Sequence, residues 1–123
     1  MSVRKIGSDL SDIPGIIADR DSVTNAITAF ATGGQTNAVL LTSSYNRVTT
    51  VGTAGDSVKL PAAVAGSRVF VFNKAAANSL NVFPSTGGKI NALSTNAAYA
   101  VAATKGVQFL CMVDGTWDTL LTA

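Results

Sequence analysis

The segment Val107-Gln-Phe-Leu-Cys-Met-Val-Asp-Gly-Thr-Trp-Asp-Thr-Leu-Leu121 places two runs of β-forming residues on either side of Asp114-Gly115. Asp-Gly between such runs is a strong hairpin signal, because a type I′ turn needs positive φ at both central residues. The segment therefore predicts two antiparallel strands, residues 107–113 and 117–121, joined by a tight type I′ turn.

Upstream of this hairpin, short apolar or alternating runs recur at intervals of roughly ten residues, with turn residues such as Gly87-Gly88 between them. They predict seven further strands, at residues 38–42, 47–51, 57–60, 68–73, 80–83, 89–90 and 99–102. Short strands at this spacing, with no helical pattern between them, are typical of antiparallel sheets. We therefore predict a mainly β domain over residues 36–123, an antiparallel β-sandwich or barrel of about eight short strands.

The first 35 residues differ in kind from the rest of the chain. Apolar residues are isolated between Met1 and Gly15, and Pro14-Gly15 interrupts any regular element, so this part predicts an extended arm. Val23, Ile27 and Phe30 then fall at i, i+4 and i+7 before Gly33-Gly34, which predicts one short amphipathic helix at about residues 21–32. Its apolar stripe packs either on the chain's own β domain or on a neighbouring subunit.

Composition argues for a structural role. The chain has no His and no Glu, 13% charged residues and a net charge of +2. A domain this poor in groups that titrate near neutral pH is a poor candidate for acid–base catalysis. The positive charge is also too small and too scattered to form a binding site for nucleic acid. No apolar stretch approaches the roughly 20 residues that span a bilayer. We predict no nucleic-acid or membrane partner, and synthesis in a cytoplasm.

Three motif candidates fail on inspection. Ser85-Thr-Gly-Gly-Lys89 lacks the first glycine of a phosphate loop, and Asp19-Arg-Asp21-Ser-Val-Thr24 lacks the later ligands of a calcium loop. A zinc site needs His and Cys ligands, and the single thiol, Cys111, sits in an apolar run that predicts a small buried residue. We therefore predict no enzyme activity, no metal and no cofactor.

Two sets of residues are candidates for binding. The arm, which gains order by lying on a larger partner, offers the contact residues Arg4, Lys5, Ile6, Leu10, Ile13, Ile16 and Ile17. Alternating Val and Phe at residues 68–73 make both faces of that strand apolar, so the strand is either central in the domain or meets another subunit. The subunit-interface candidates are Val23, Ile27, Phe30, Phe70 and Phe72.

About two-thirds of the chain resembles β domains of tailed-phage virion proteins. The resemblance rests on Tyr45-Asn-Arg-Val-Thr-Thr-Val51, Asp56-Ser-Val-Lys-Leu-Pro-Ala-Ala-Val-Ala-Gly66, Val71-Phe-Asn-Lys74, Asn81-Val-Phe-Pro84 and Gly88-Lys-Ile-Asn91. The closing Phe109-Leu-Cys-Met-Val and Gly115-Thr-Trp-Asp-Thr-Leu120 fit the same pattern, and the arm lies outside it.

Proteins of this kind include capsid decoration (cement) proteins, head fibres and modules of tail fibres, which are generally trimeric and bind no cofactor. The resemblance implies a homotrimeric structural protein on the surface of a phage head, with the major capsid protein as its partner. The alternative is a tail or fibre-associated module, or an adhesin, which binds host-surface glycans through Tyr45, Tyr99 or Trp117. A short arm followed by one compact body without internal repeats favours the head.

Overall fold

The computed structural model describes residues 20–121, and this part of the chain forms ten strands and no helix. Strands occupy 46% of it. Their bounds are β1 Val23–Thr28, β2 Val39–Leu40, β3 Tyr45–Thr50, β4 Ser57–Lys59, β5 Arg68–Asn73, β6 Leu80–Phe83, β7 Lys89–Ile90, β8 Tyr99–Val101, β9 Gly106–Val113 and β10 Thr116–Leu121.

Successive strands alternate between two sheets as far as β8, and from β1 to β4 each strand pairs with the next but one along the chain. The six-stranded sheet has the order β1-β3-β5-β9-β10-β7, and the four-stranded sheet has the order β2-β4-β6-β8. Strands β1, β3 and β5 are parallel, as are β2, β4 and β6. The chain winds as a β-solenoid of about four turns, and the predicted antiparallel sandwich or barrel is wrong.

The winding follows from what a parallel pair requires. Parallel neighbours cannot be joined by a tight turn and need a crossover of a dozen or more residues. Here the crossover is a strand of the opposite sheet with its two loops, so that Val23 pairs with Tyr45 and Tyr45 with Phe70. The ten-residue spacing between strands therefore reflects half a turn of the solenoid and not a hairpin.

The core fills the space between the two sheets. Side chains alternate along each strand, and the inward set is mainly apolar, with ten apolar members that are each 1% exposed or less: Val48, Val58, Val71, Leu80, Val82, Ile90, Val101, Val107, Phe109 and Trp117. Strand β5 lies in the interior of its sheet, which agrees with the first of the two alternatives given for its apolar faces. Val69 and Val71 face the core, whereas Phe70 and Phe72 lie half-buried on the opposite face.

The predicted helix at residues 21–32 is wrong, because Val23–Thr28 is the first strand of the six-stranded sheet. Ala26 has a φ of 57°, and the register of β1 against β3 shifts on either side of Ile27. Such a bulge breaks the period-two alternation, and here it leaves apolar residues at a helix-like spacing. Because β1 belongs to the six-stranded sheet, the β structure begins before residue 36, the predicted start of the β domain.

The predicted C-terminal hairpin is confirmed, although its turn type is not. Strands β9 and β10 are antiparallel, with Val113 opposite Thr116 across Asp114-Gly115. Gly115 has a φ of 89°, but Asp114 is not among the residues with positive φ, so the turn is not type I′. The hairpin extends the six-stranded sheet with antiparallel strands and ends its run of parallel turns.

The loop at Gly33 is held close to Gly55. Gly33 has a φ of 72°, and a Cβ added there lies 2.8 Å from the Gly55 carbonyl oxygen; Gly34 has a φ of 90° and nothing within 4 Å. We expect Gly33→Ala to destabilise the protein by about 1–3 kcal/mol, because it adds a backbone clash to a left-handed conformation. Gly34→Ala carries the conformational cost alone and is the matched control. Equal shifts of the urea midpoint for the two variants would contradict the close approach.

Candidate interaction surface

The outward side of the six-stranded sheet carries a row of aligned side chains. Register pairs Val23 with Tyr45, Tyr45 with Phe70, Phe70 with Gln108, and Gln108 with Leu120. Directly paired residues share a face of a sheet, so this row crosses five strands on the side away from the core. Together with their outward neighbours on the same strands, these residues form a surface we call the aromatic face: Val23, Tyr45, Phe70, Phe72, Gln108, Leu110, Met112 and Leu120.

Three rings form the centre of the aromatic face. Tyr45 and Phe70 stack at 4.7 Å between centroids with an interplanar angle of 10°, and Phe70 and Phe72 are parallel within 3° at 6.2 Å. The first distance equals the spacing between neighbouring strands, so the rings of Tyr45 and Phe70 lie face to face across this strand pair. Gly106 permits this arrangement, since a Cβ at that position would overlap the Phe72 ring.

The margins of the aromatic face are also apolar, and they are well exposed. Val23 on β1 is 66% exposed, Met112 on β9 is 63% exposed and Leu120 on β10 is 59% exposed. Scattered exposed apolar residues are ordinary on any protein, but contiguous ones mark interaction sites. Only Val23 is paired directly with a ring, whereas Leu120 is one strand removed from the rings and Met112 lies farther along β9. Apolar residues therefore occur on all five strands of this face.

Charged groups of both signs border the aromatic face. Arg68 lies 3.9 Å from the carboxylate of Asp21, and Arg47 donates a hydrogen bond of 3.1 Å to the side-chain oxygen of Asn25. Asp118 is opposite Leu110 and therefore points outward as well. Two arginines and two aspartates thus accompany the aromatic rings.

A cleft of about 400 Å³ opens beside this face, at the ends where β3 and β5 begin. Its polar wall consists of Ser22, Thr42, Ser43, Ser44, Ser67 and Arg68, and we call it the hydroxyl cleft. Some of these groups already have partners: Ser22 Oγ accepts a hydrogen bond from the Ser44 backbone N–H at 3.0 Å, and Ser43 Oγ lies 2.6 Å from Thr24 Oγ1.

The buried polar side chains of the described residues serve the backbone. Each of the four bonds at least one main-chain group: Asn46, Asp56, Ser57 and Asn73. Asn73 does most, since its Nδ2 donates to the carbonyls of Asn78 at 3.1 Å and Val101 at 3.0 Å, and its Oδ1 accepts from the Ala75 N–H at 3.1 Å. These polar groups hold loops in place between turns of the solenoid.

The residues predicted from sequence are distributed unevenly over the structure. Val23, Phe70 and Phe72 lie on the aromatic face. Ile27 is buried in the core, and Phe30 is half-buried and forms an isolated β-bridge with Ser57. The seven arm residues from Arg4 to Ile17 lie outside the described residues. Sequence reasoning missed Gln108, Met112 and Leu120, although their alternation within the hairpin strands offered a signal.

The side chains predicted for glycan contact are largely engaged within the fold. Trp117 is completely buried, Tyr99 packs edge-on against Phe109 at 5.8 Å between centroids, and Tyr45 stacks on Phe70. The Trp117 indole therefore offers no surface to a sugar. Tyr45 contributes the polar edge of its ring to the aromatic face.

Cys111 is a core residue on β9, as its apolar setting predicted. Burial raises the pKa of its thiol, and the Sγ lies 3.2 Å from the Val113 carbonyl oxygen, to which it donates a weak hydrogen bond. Within residues 20–121, no three His, Cys, Asp or Glu side chains are grouped as a metal site would require, and no helix is long and apolar enough to cross a membrane.

Comparison with protein families, curated proteins and solved structures gives no match to this chain.

Proposed function

We propose that this chain is a structural virion protein, a decoration or cement protein that binds the outer surface of a phage head as a homotrimer. It stabilises the head by bridging neighbouring major capsid subunits, so that rupture of the shell must also break the added interfaces. The proposal places it on the virion after synthesis in the bacterial cytoplasm, and gives it no enzymatic role.

The use of polar side chains is the observation that carries this proposal. The four buried polar residues of the described chain all hold main-chain groups, and the outward side chains form an apolar surface bordered by charges of both signs. Side chains that bond main-chain groups in this way hold the loops of a scaffold in place, since hydrogen bonds to buried polar groups favour one arrangement of the chain. A rigid body with an apolar binding face suits a protein whose task is to hold other proteins together.

The arm supplies the capsid contact in this proposal. Arg4 and Lys5 offer charge, and isolated apolar side chains follow at Ile6, Leu10, Ile13, Ile16 and Ile17. A segment with dispersed apolar residues buries little surface by itself and gains stability when it lies on a larger partner. The described residues begin at residue 20, shortly before β1, and Val23 of β1 lies at one margin of the aromatic face.

We expect deletion of residues 1–18 to abolish co-sedimentation of the protein with heads assembled without it. The reason is that the capsid contact is assigned to the arm, whereas the described solenoid begins after the deleted segment. A full-length variant carrying Ile16→Asp and Ile17→Asp should bind weakly as well, and the matched control with Ser8→Ala and Ser11→Ala should bind normally. Unchanged binding by the deletion variant would contradict the arm contact, and failure of the wild-type protein to bind would contradict the cement function.

The hydroxyl cleft favours a second candidate, a tail or fibre module that binds host-surface glycans. Hydroxyl groups and an arginine beside an open cleft offer the hydrogen-bond partners that a sugar needs, and the volume of about 400 Å³ falls in the range of small-ligand sites. Binding of the purified protein to host cells, lost in Arg68→Ala, would favour this function over the capsid role.

A further inference from the structure

The two ends of the solenoid resist growth by strand addition. Edge strands of a sheet invite pairing with other chains, and natural proteins limit this with bulges or with very short edges. Strand β1 carries the bulge at Ala26, β2 and β7 have two residues each, and β8 has three. Copies of this chain are therefore poorly suited to stack end to end, and lateral contact through an outer face is the remaining geometry.

The two outer faces differ in character. On the four-stranded sheet, Leu40 pairs with Lys59 and Lys59 with Phe83, so a lysine interrupts the single apolar row. The neighbouring row consists of Asn81 and Ala100, with the buried Ser57 at its end. The aromatic face has three stacked or parallel rings, and exposed Val23, Met112 and Leu120 lie on its other strands. Contact with another protein is therefore better served by the aromatic face.

The chemistry of the aromatic face indicates what it binds. A nucleic acid or an anionic membrane surface selects for an excess of Lys and Arg, whereas this face carries two arginines and two aspartates. A surface with both signs can be complementary to itself. Gln108, at the centre of the row, has both donors and acceptors and can therefore pair with the same residue of another copy.

We infer that the aromatic face binds a second copy of this chain and forms the subunit interface of its oligomer. In a homotrimer the same face of each copy turns toward the threefold axis, so the apolar side chains of the three copies are buried against one another. The inference deepens the proposed homotrimer by naming its surface. It rests on the proposed function only for the number of copies.

The test is the mass of the full-length protein by light scattering, for the wild type and for Val23→Lys with Leu120→Lys. Both positions are well exposed, so lysine is tolerated in a single subunit but places buried charge in the interface. We expect the wild type at about three times the chain mass of 12.5 kDa and the double variant at the chain mass, a threefold loss. Leu40→Lys, at a 53% exposed position on the other sheet, is the matched control and should keep the wild-type mass.

Three results would overturn the inference: a monomeric wild type, a double variant that keeps the oligomer mass, or a Leu40→Lys variant that dissociates equally. Circular dichroism of each variant confirms that the fold is retained. Head binding is scored separately. A wild-type monomer that binds heads would contradict the interface but support the cement function. A wild-type oligomer that dissociates in the double variant but does not bind heads would support the interface and contradict the cement function.

Discussion

Replacing Trp117 with alanine is expected to lower the free energy of unfolding by about 3–5 kcal/mol, the range for truncating a large aromatic residue in a core. Trp117 lies on β10 and is 0% exposed, and it belongs to the cluster that joins the C-terminal hairpin to the core. Its removal leaves a cavity next to the pairing of β10 with Ile90 on β7. A loss of this size is a large fraction of the roughly 5–15 kcal/mol by which a domain is stable.

Urea unfolding followed by circular dichroism is the appropriate measurement, because Trp117 is the only tryptophan and its fluorescence disappears with it. Leu120→Ala, three residues along the same strand and exposed, is the matched control and should lose far less than Trp117→Ala when both are measured as monomers. Similar midpoints for the two variants would contradict the burial of Trp117.

Trp117→Phe refines this prediction. The indole Nε1 is buried and has no hydrogen-bond partner among the described residues, so its removal leaves no protein acceptor unpaired. Phenylalanine therefore loses only part of the packing. We therefore expect Trp117→Phe to lie much closer to the wild type than Trp117→Ala does.

Replacing Asn73 with alanine is expected to lower the free energy of unfolding by about 3–5 kcal/mol, because it leaves several buried main-chain groups unpaired. The side chain is 0% exposed and makes three hydrogen bonds with main-chain groups of Ala75, Asn78 and Val101. Its loss leaves those groups without this partner, and each buried polar group that stays unpaired costs about 1–3 kcal/mol. The measurement is the urea midpoint, with Asn25→Ala, at an exposed position on β1, as the control for loss of an asparagine side chain.

Asn73→Asp gives the same site a pH dependence. The new carboxylate keeps an acceptor for the Ala75 N–H but places a negative oxygen against the Val101 and Asn78 carbonyls. Burial and these carbonyls raise the pKa of such a carboxyl in the folded state. The destabilisation should therefore increase as the pH rises through the unfolded-state pKa of aspartate, about 3.9, and reach its full size above the folded-state pKa. A pH-independent difference from wild type would contradict the buried hydrogen-bonding role.

Strand positions could be predicted from the sequence because the apolar alternation is local. Residues 68–73, 80–83 and 89–90 were assigned to strands and form β5, β6 and β7 with those bounds. Period two reveals which side chains share a face, but it carries no information about which strand lies alongside. The antiparallel sandwich prediction fails at that step, because short strands at ten-residue spacing are typical of antiparallel sheets but also occur in a solenoid, where strands pair in parallel.

The solenoid repeat could not be predicted from the sequence, because equivalent positions of successive turns carry polar residues in one turn and apolar residues in the next. Asn46 pairs with Val71, and Val48 pairs with Asn73, so buried asparagine and valine alternate between successive turns. Comparing these stretches therefore reveals no shared motif. The aromatic face was only partly predictable for a related reason: Phe70 and Phe72 stand out in the sequence, whereas Gln108 and Leu120 join them only through the pairing of β9 with its neighbours.

The alternation of strands between sheets also has a consequence for folding. Each parallel contact joins residues about one turn apart, such as Tyr45 and Phe70, and closing so long a loop costs entropy before any contact repays it. The hairpin of β9 and β10 closes across two residues and is the one pair of described strands that forms from neighbours in the chain. Its strands are also the last of the described strands to be synthesised. The parallel pairs β1–β3, β2–β4, β3–β5 and β4–β6, which cost more entropy to close, can therefore form before the hairpin exists.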